Sequence, residues 1–131
     1  MIILRNLLIF CAGLAVGYTF ADIDLAPPLP IRHRSFWTHG PIIPAVILYF
    51  APGGLWLYFL APFLLSYALH LLKDMFPKAW KGGALIKLFP IRGSLGPALS
   101  FIWLGLGALG AVIVFYLAYW PTVAGWVFFW R

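Results

Sequence analysis

The sequence predicts an all-α, polytopic integral membrane protein of about four helices. Three observations carry this. Of its 131 residues, 64% are hydrophobic and 9% charged, against about 25% charged residues in soluble domains. The apolar residues fall into runs near the roughly 20 residues that cross a bilayer as helix. Alternating strands separated by polar turns, the mark of a membrane barrel, are absent. Spanning segments must then be helical, because lipid offers backbone groups no partner outside the segment. The length suits a single transmembrane domain over residues 1–131.

The first predicted helix covers residues 2–21, interrupted by Arg5 and Asn6. Its basic start resembles a signal peptide, but its length and the lack of a clear small-residue cleavage site predict a retained helix. Gly13 and Gly17 form a GxxxG, which either admits a second helix or faces lipid. Asp22 and Asp24 follow at the membrane boundary. The run Ala26-Pro27-Pro28-Leu29-Pro30 is too proline-rich for helix and makes a stiff connector. A helical hairpin is expected next, with arms at 38–51 and 54–75 around the break Ala51-Pro52-Gly53-Gly54. Its first arm is too short to span upright. Residues 73–93 carry Lys73, Lys78, Lys81, Lys87 and Arg92 among apolar residues, which suits an interfacial polar loop. The last helix is expected over 96–119, before an aromatic C-terminus with Trp120, Trp126 and Trp130 that suits a membrane-interface belt.

This layout puts the polar loops 22–37 and 76–95 on the same side. The segment 22–40 and the loop 73–93 hold seven of the nine basic residues; only Arg5 and Arg131 remain for the other side. The positive-inside rule makes the loop side cytoplasmic, in a bacterial inner membrane or an equivalent internal membrane. The net charge of +6 is accounted for in this way, so no nucleic acid is expected as partner. One cysteine, Cys11, excludes an intramolecular disulfide.

The titratable residues are concentrated. The chain has three acidic residues (Asp22, Asp24, Asp74) and three histidines (His33, His39, His70), and none of the six lies after Asp74. The same-side layout brings all six to one membrane face. Imidazole nitrogens and carboxylate oxygens ligate zinc first, with manganese or iron as alternatives. His70 and Asp74 lie one helical turn apart, so both project from one face. Asp22, Asp24, His33, His39, His70 and Asp74 are therefore the candidate ligands of a divalent metal. Ionisable residues in a membrane domain are functional candidates by default. Asp22, Asp24 and His39 are the candidate catalytic groups, a spare carboxylate acting as general base or orienting a histidine. Arg32 and Arg34 can hold a substrate phosphate or an acidic lipid headgroup.

The ordered set Asp22-x-Asp24, His33-Arg34 with Thr38-His39, and His70-x-x-x-Asp74 near a helix end resembles the YdjM-type family of membrane-bound metal-dependent hydrolases. The run Arg32 to Phe36 with His39-Gly40-Pro41 is also similar to related short metal-binding membrane proteins. The likeness covers about residues 20–95 and implies a metal site more firmly than a reaction. Three readings stand open. The first is a metal-dependent hydrolase acting near the membrane surface. The second is a non-catalytic accessory subunit packing against other membrane subunits, with a structural or vestigial metal site. The third is a histidine ligating a haem or magnesium pigment, which no CxxCH or mid-membrane histidine pair supports. Membrane lipid is an expected partner in all three.

Overall fold

A computed structural model describes residues 2–25, 34–50, 56–76, 85–88 and 92–120, with only the backbone of 24 and 25. Their regular elements are all helical: α1 (Ile2–Phe20), a 3-10 turn (Ala21–Leu25), α2 (Ile42–Phe50), α3 (Trp56–Met75) and α4 (Pro97–Val114), which runs on as a π-helical turn (Phe115–Tyr119). Three helical stretches, Ile2–Ile23, Trp56–Met75 and Pro97–Tyr119, are long and apolar enough to cross a membrane. The C-terminal aromatic segment beyond 120 and the break at 51–54 lie outside the described residues.

The centre of the bundle is α3, which packs on α1 along one side and on α4 along the other. It contributes most of the core, with Ala61, Phe63, Leu64, Tyr67, Ala68, Leu71 and Met75 buried. The Gly13/Gly17 pair is what lets α1 approach. A Cβ at Gly13 would fall on the Phe59 carbonyl, and one at Gly17 on the Phe63 carbonyl and Ser66 hydroxyl. The small-residue stripe therefore packs within the chain, backbone against backbone. Inside α3, Pro62 offers no N–H to the helix ladder. The Ser66 hydroxyl one turn later donates to the Pro62 carbonyl at 2.9 Å.

The short arm begins at Ile42, four residues later than the sequence predicts, because 35–40 form a separate turn. As helix, α2 is about 13 Å long against about 30 Å for α3. It is not the hairpin partner of α3 but packs chiefly on α4. Small residues again explain the contact. A Cβ at Gly107 would meet the Gly40 backbone at 2.8 Å and Leu71 at 2.7 Å. The indole of Trp103 covers Gly40 so closely that no side chain fits there. Trp103 also stacks on Phe36 (centroids 4.0 Å apart, planes at 16°) and donates from Nε1 to the Phe36 carbonyl at 3.2 Å.

The described parts of the two polar loops meet at one end of the bundle. Phe36 N–H donates to the Lys87 carbonyl and Lys87 N–H to the Arg34 carbonyl, both at 2.9 Å. Leu95 N–H returns to the Ile86 carbonyl at 2.8 Å. The buried Ser100 hydroxyl in the first turn of α4 accepts from Ile86 N–H at 3.1 Å and donates to the Leu95 carbonyl at 3.2 Å. α1 and α3 arrive at this end; α2 and α4 leave from it.

Candidate metal centre

Each residue of the site is placed by a distinct local device. Asp22 sits in the 3-10 turn that tightens the chain after α1. The Thr19 hydroxyl bonds back to the Ala15 carbonyl at 2.9 Å just before that turn. His39 lies in the turn 35–40, whose backbone is gripped by one phenol. Tyr67 Oη accepts from Gly40 N–H at 3.2 Å and is within donating distance of the carbonyls of Thr38 (2.8 Å) and Gly40 (3.0 Å). His70 and Asp74 project from one face of α3, as their i, i+4 spacing requires.

Asp22, His39 and His70 offer ligand atoms that lie within 4.8 Å of one another. Asp74 closes the group: its Oδ2 is 3.5 Å from His39 Nε2 and 3.6 Å from His70 Nε2, while Asp22 Oδ1 is 3.7 Å from His70 Nε2. A tetrahedral ion with bonds of 2.0–2.1 Å has ligand–ligand edges of about 3.3–3.4 Å. The three His–Asp pairs exceed these by a few tenths of an ångström, whereas the Asp22, His39 and His70 atoms spread over as much as 4.8 Å, so side-chain rotations must draw the set together around a cation. The histidine rings meet edge to face (5.7 Å, 62°), and the Tyr18 ring abuts His70 (5.3 Å, 73°).

Hydrogen bonding fits the same chemistry. Neither ring nitrogen of the buried His70 makes a close hydrogen bond among the described residues; its Nε2 faces two carboxylate oxygens at 3.6 and 3.7 Å. Such a group is costly to bury unless something else satisfies it. His39 Nδ1 is 3.0 Å from Thr38 Oγ1, which itself faces the Ser35 carbonyl at 3.4 Å. The tautomer protonated at Nδ1 satisfies both contacts, His39 donating to the hydroxyl and the hydroxyl to the carbonyl. Its Nε2 then presents a lone pair to the cluster, as metal-ligating histidines do.

Asp74 is held from outside the group by Arg34. Nε donates to Oδ2 at 3.0 Å and Nη2 to Oδ1 at 3.2 Å, a forked pair. Arg34 has φ of 59°, in the left-handed region that a non-glycine residue enters only when its surroundings fix it. The Lys87 N–H on its carbonyl and Asp74 on its guanidinium are those surroundings. In this structure the Arg34 guanidinium meets a carboxylate of the chain's own α3.

Of the residues predicted for the site, Asp22, His39, His70, Asp74 and Arg34 come together. Arg32 and His33 lie outside the described residues, as does the side chain of Asp24. Sequence reasoning missed Tyr67, and it named Thr38 within the motif without assigning it a role. A buried tyrosine in an apolar helix generally finds a hydrogen-bond partner, but nothing along the chain says that the partner lies 27 residues upstream. No family model matches this chain, and neither a curated protein nor a solved structure matches it.

Proposed function

We propose that the chain is a membrane-embedded, metal-dependent hydrolase with its divalent-metal site at the cytoplasmic face. Three apolar helices of spanning length support the membrane placement. The loop end of the bundle supports the orientation, because the described part of that end gathers Arg34, Lys73, Lys87 and Arg92. The observation that carries the metal reading is the convergence of Asp22, His39 and His70 from three separate elements. The ordered motif that resembles the YdjM-type hydrolases is consistent with it.

Asp22, His39 and His70 are assigned as ligands, with zinc as the first candidate metal and manganese or iron as alternatives. Asp74 is assigned differently. Its two oxygens are already engaged by the Arg34 fork, which holds the carboxylate charged beside the imidazoles, where it would balance the charge of a bound cation. Three protein ligands leave one position for water or substrate, the pattern of catalytic zinc sites. A bound divalent cation supplies Lewis acidity, polarising a substrate oxygen and making water acidic near neutral pH. Arg34 fixes Asp74, Thr38 fixes the His39 tautomer, and Tyr67 fixes the turn that carries both Thr38 and His39.

A second reading rests on burial. The side chains of His39 and His70 are 0% and 3% exposed. Were Asp74 a fourth ligand, the site would be closed and structural, as in an accessory subunit of a larger membrane assembly. One experiment separates the two. Purified protein is loaded with Co²⁺ in place of zinc, and its visible spectrum is recorded with and without azide. Hydrolase chemistry requires a spectrum that azide changes, together with metal-dependent release of phosphate or alcohol from a phosphoester or lipid ester. A spectrum indifferent to azide supports the structural site, and no metal in wild type refutes both.

A further inference from the structure

We infer that the site takes its substrate sideways from the membrane, as an anionic phospholipid whose phosphate is held by Lys73 at the α1–α3 face. This rests on the metal reading above and specifies what that site would act on.

Exposure is uneven around the cluster. The Asp22 side chain is 40% exposed, against 10% for Asp74, 3% for His70 and 0% for His39. At the loop end Arg34 lies across Asp74. On the α4 side, Gly107 and Trp103 press on the turn that carries His39. Among the described residues the most exposed member of the cluster is Asp22, beside the junction of α1 with α3.

That junction pairs a cation with an apolar strip. Leu69, Leu72 and Lys73 share one side of α3; Leu69 is 61% and Leu72 42% exposed. Lys73 Nζ, fully exposed, donates to Tyr18 Oη at 3.1 Å. One bond to the phenol leaves the ammonium with further donors for an anion. Tyr18 also touches His70 with its ring edge, which sets the ammonium one side chain away from the cluster. An ammonium beside exposed leucines at a membrane boundary complements a phosphate joined to acyl chains. A soluble phosphate would find the charge but no use for the leucines.

The test uses the full chain in phosphatidylcholine nanodiscs carrying traces of spin-labelled phosphatidylglycerol or spin-labelled phosphatidylcholine. Electron paramagnetic resonance reads the fraction of each probe immobilised on the protein. Wild type is expected to prefer the anionic probe roughly three- to five-fold. Lys73→Gln should abolish the preference, Lys73→Arg should restore it, and Arg92→Gln, at the same end, should leave it intact. Equal loss in Arg92→Gln would mean general attraction to a basic surface and overturns the inference. So does displacement of the lipid by excess inorganic phosphate, which would make the ligand a free anion. Metal content is measured on the same samples. Metal-loaded protein without Lys73-dependent preference overturns the lipid assignment and leaves the metal site standing. Metal-free protein that keeps the preference overturns the assignment of that lipid as substrate.

Discussion

Arg34 and Asp74, forty residues apart, meet through two parallel contacts, Nε to Oδ2 at 3.0 Å and Nη2 to Oδ1 at 3.2 Å. The same Oδ2 lies 3.5 and 3.6 Å from the two imidazoles. A single carboxylate thereby ties the turn carrying His39 to the helix carrying His70.

Removing the guanidinium should uncover that carboxylate. Arg34→Ala leaves Asp74 charged and largely out of water, a loss that costs about 3 kcal/mol for a buried pair and about 2 kcal/mol at this partial exposure. Arg34→Lys keeps the charge but not the fork, and is expected to recover less than half. Thermal unfolding in detergent, compared across the three proteins, reads both effects. A variant Arg34→Ala as stable as wild type would show that the pair holds nothing together.

Metal stoichiometry should follow the geometry. His39→Ala, His70→Ala and Asp22→Asn are each expected to reduce zinc from about one ion per chain to background in elemental analysis. Asp74→Asn removes a charge beside the ion but none of the assigned ligands, and should weaken binding about ten- to a hundred-fold instead of abolishing it. Abolition by Asp74→Asn would make Asp74 a true ligand and close the site.

The Tyr67 hydroxyl serves three backbone groups of the turn 38–40. Tyr67→Phe strands buried donors and acceptors and is expected to cost about 1–3 kcal/mol. Because His39 lies between Thr38 and Gly40, zinc affinity should fall together with the melting temperature. Titration with a competing chelator measures the affinity; an unchanged value with lowered stability would separate the turn from the site.

Gly17 offers a test of how the first helix is seated. Gly17→Val puts methyl groups into the Phe63 carbonyl and the Ser66 hydroxyl, overpacking that costs typically about 1–3 kcal/mol. Gly93→Val, where a Cβ meets nothing within 4 Å, is the control. Loss of the α1–α3 contact should also carry Asp22 away from His70, so Gly17→Val is expected to lower zinc content while Gly93→Val does not.

The two paired loops also predict a topology. Single cysteines at Trp37 and Arg92, both exposed, should react with a membrane-impermeant maleimide from the same side, in a background lacking Cys11. Protection of one and labelling of the other in sealed vesicles would contradict their pairing through Lys87.

Much of this was legible along the chain because the constraints involved are local. A run of some twenty apolar residues dictates a helix wherever it sits, since backbone groups without water must bond within the segment. Proline and glycine marked the ends of those helices, and the i, i+4 spacing set His70 and Asp74 on one face. The rarity of carboxylates and histidines pointed to Asp22, His39, His70 and Asp74 before any were placed. The later start of α2 was harder to read, because Thr38 to Pro41 is stabilised by a phenol from a distant helix instead of by its own propensity.

What the sequence determined by itself is therefore the helical class, the stretches long and apolar enough to span a membrane, and the short inventory of groups able to do chemistry. Only the tertiary structure decided that α2 leans on α4, that Gly13 and Gly17 face α3, and that Arg34 spends its charge on Asp74. Those outcomes depend on which backbones can come closest, a property of pairs of glycines and the surfaces opposite them. No single stretch of chain contains both members of such a pair.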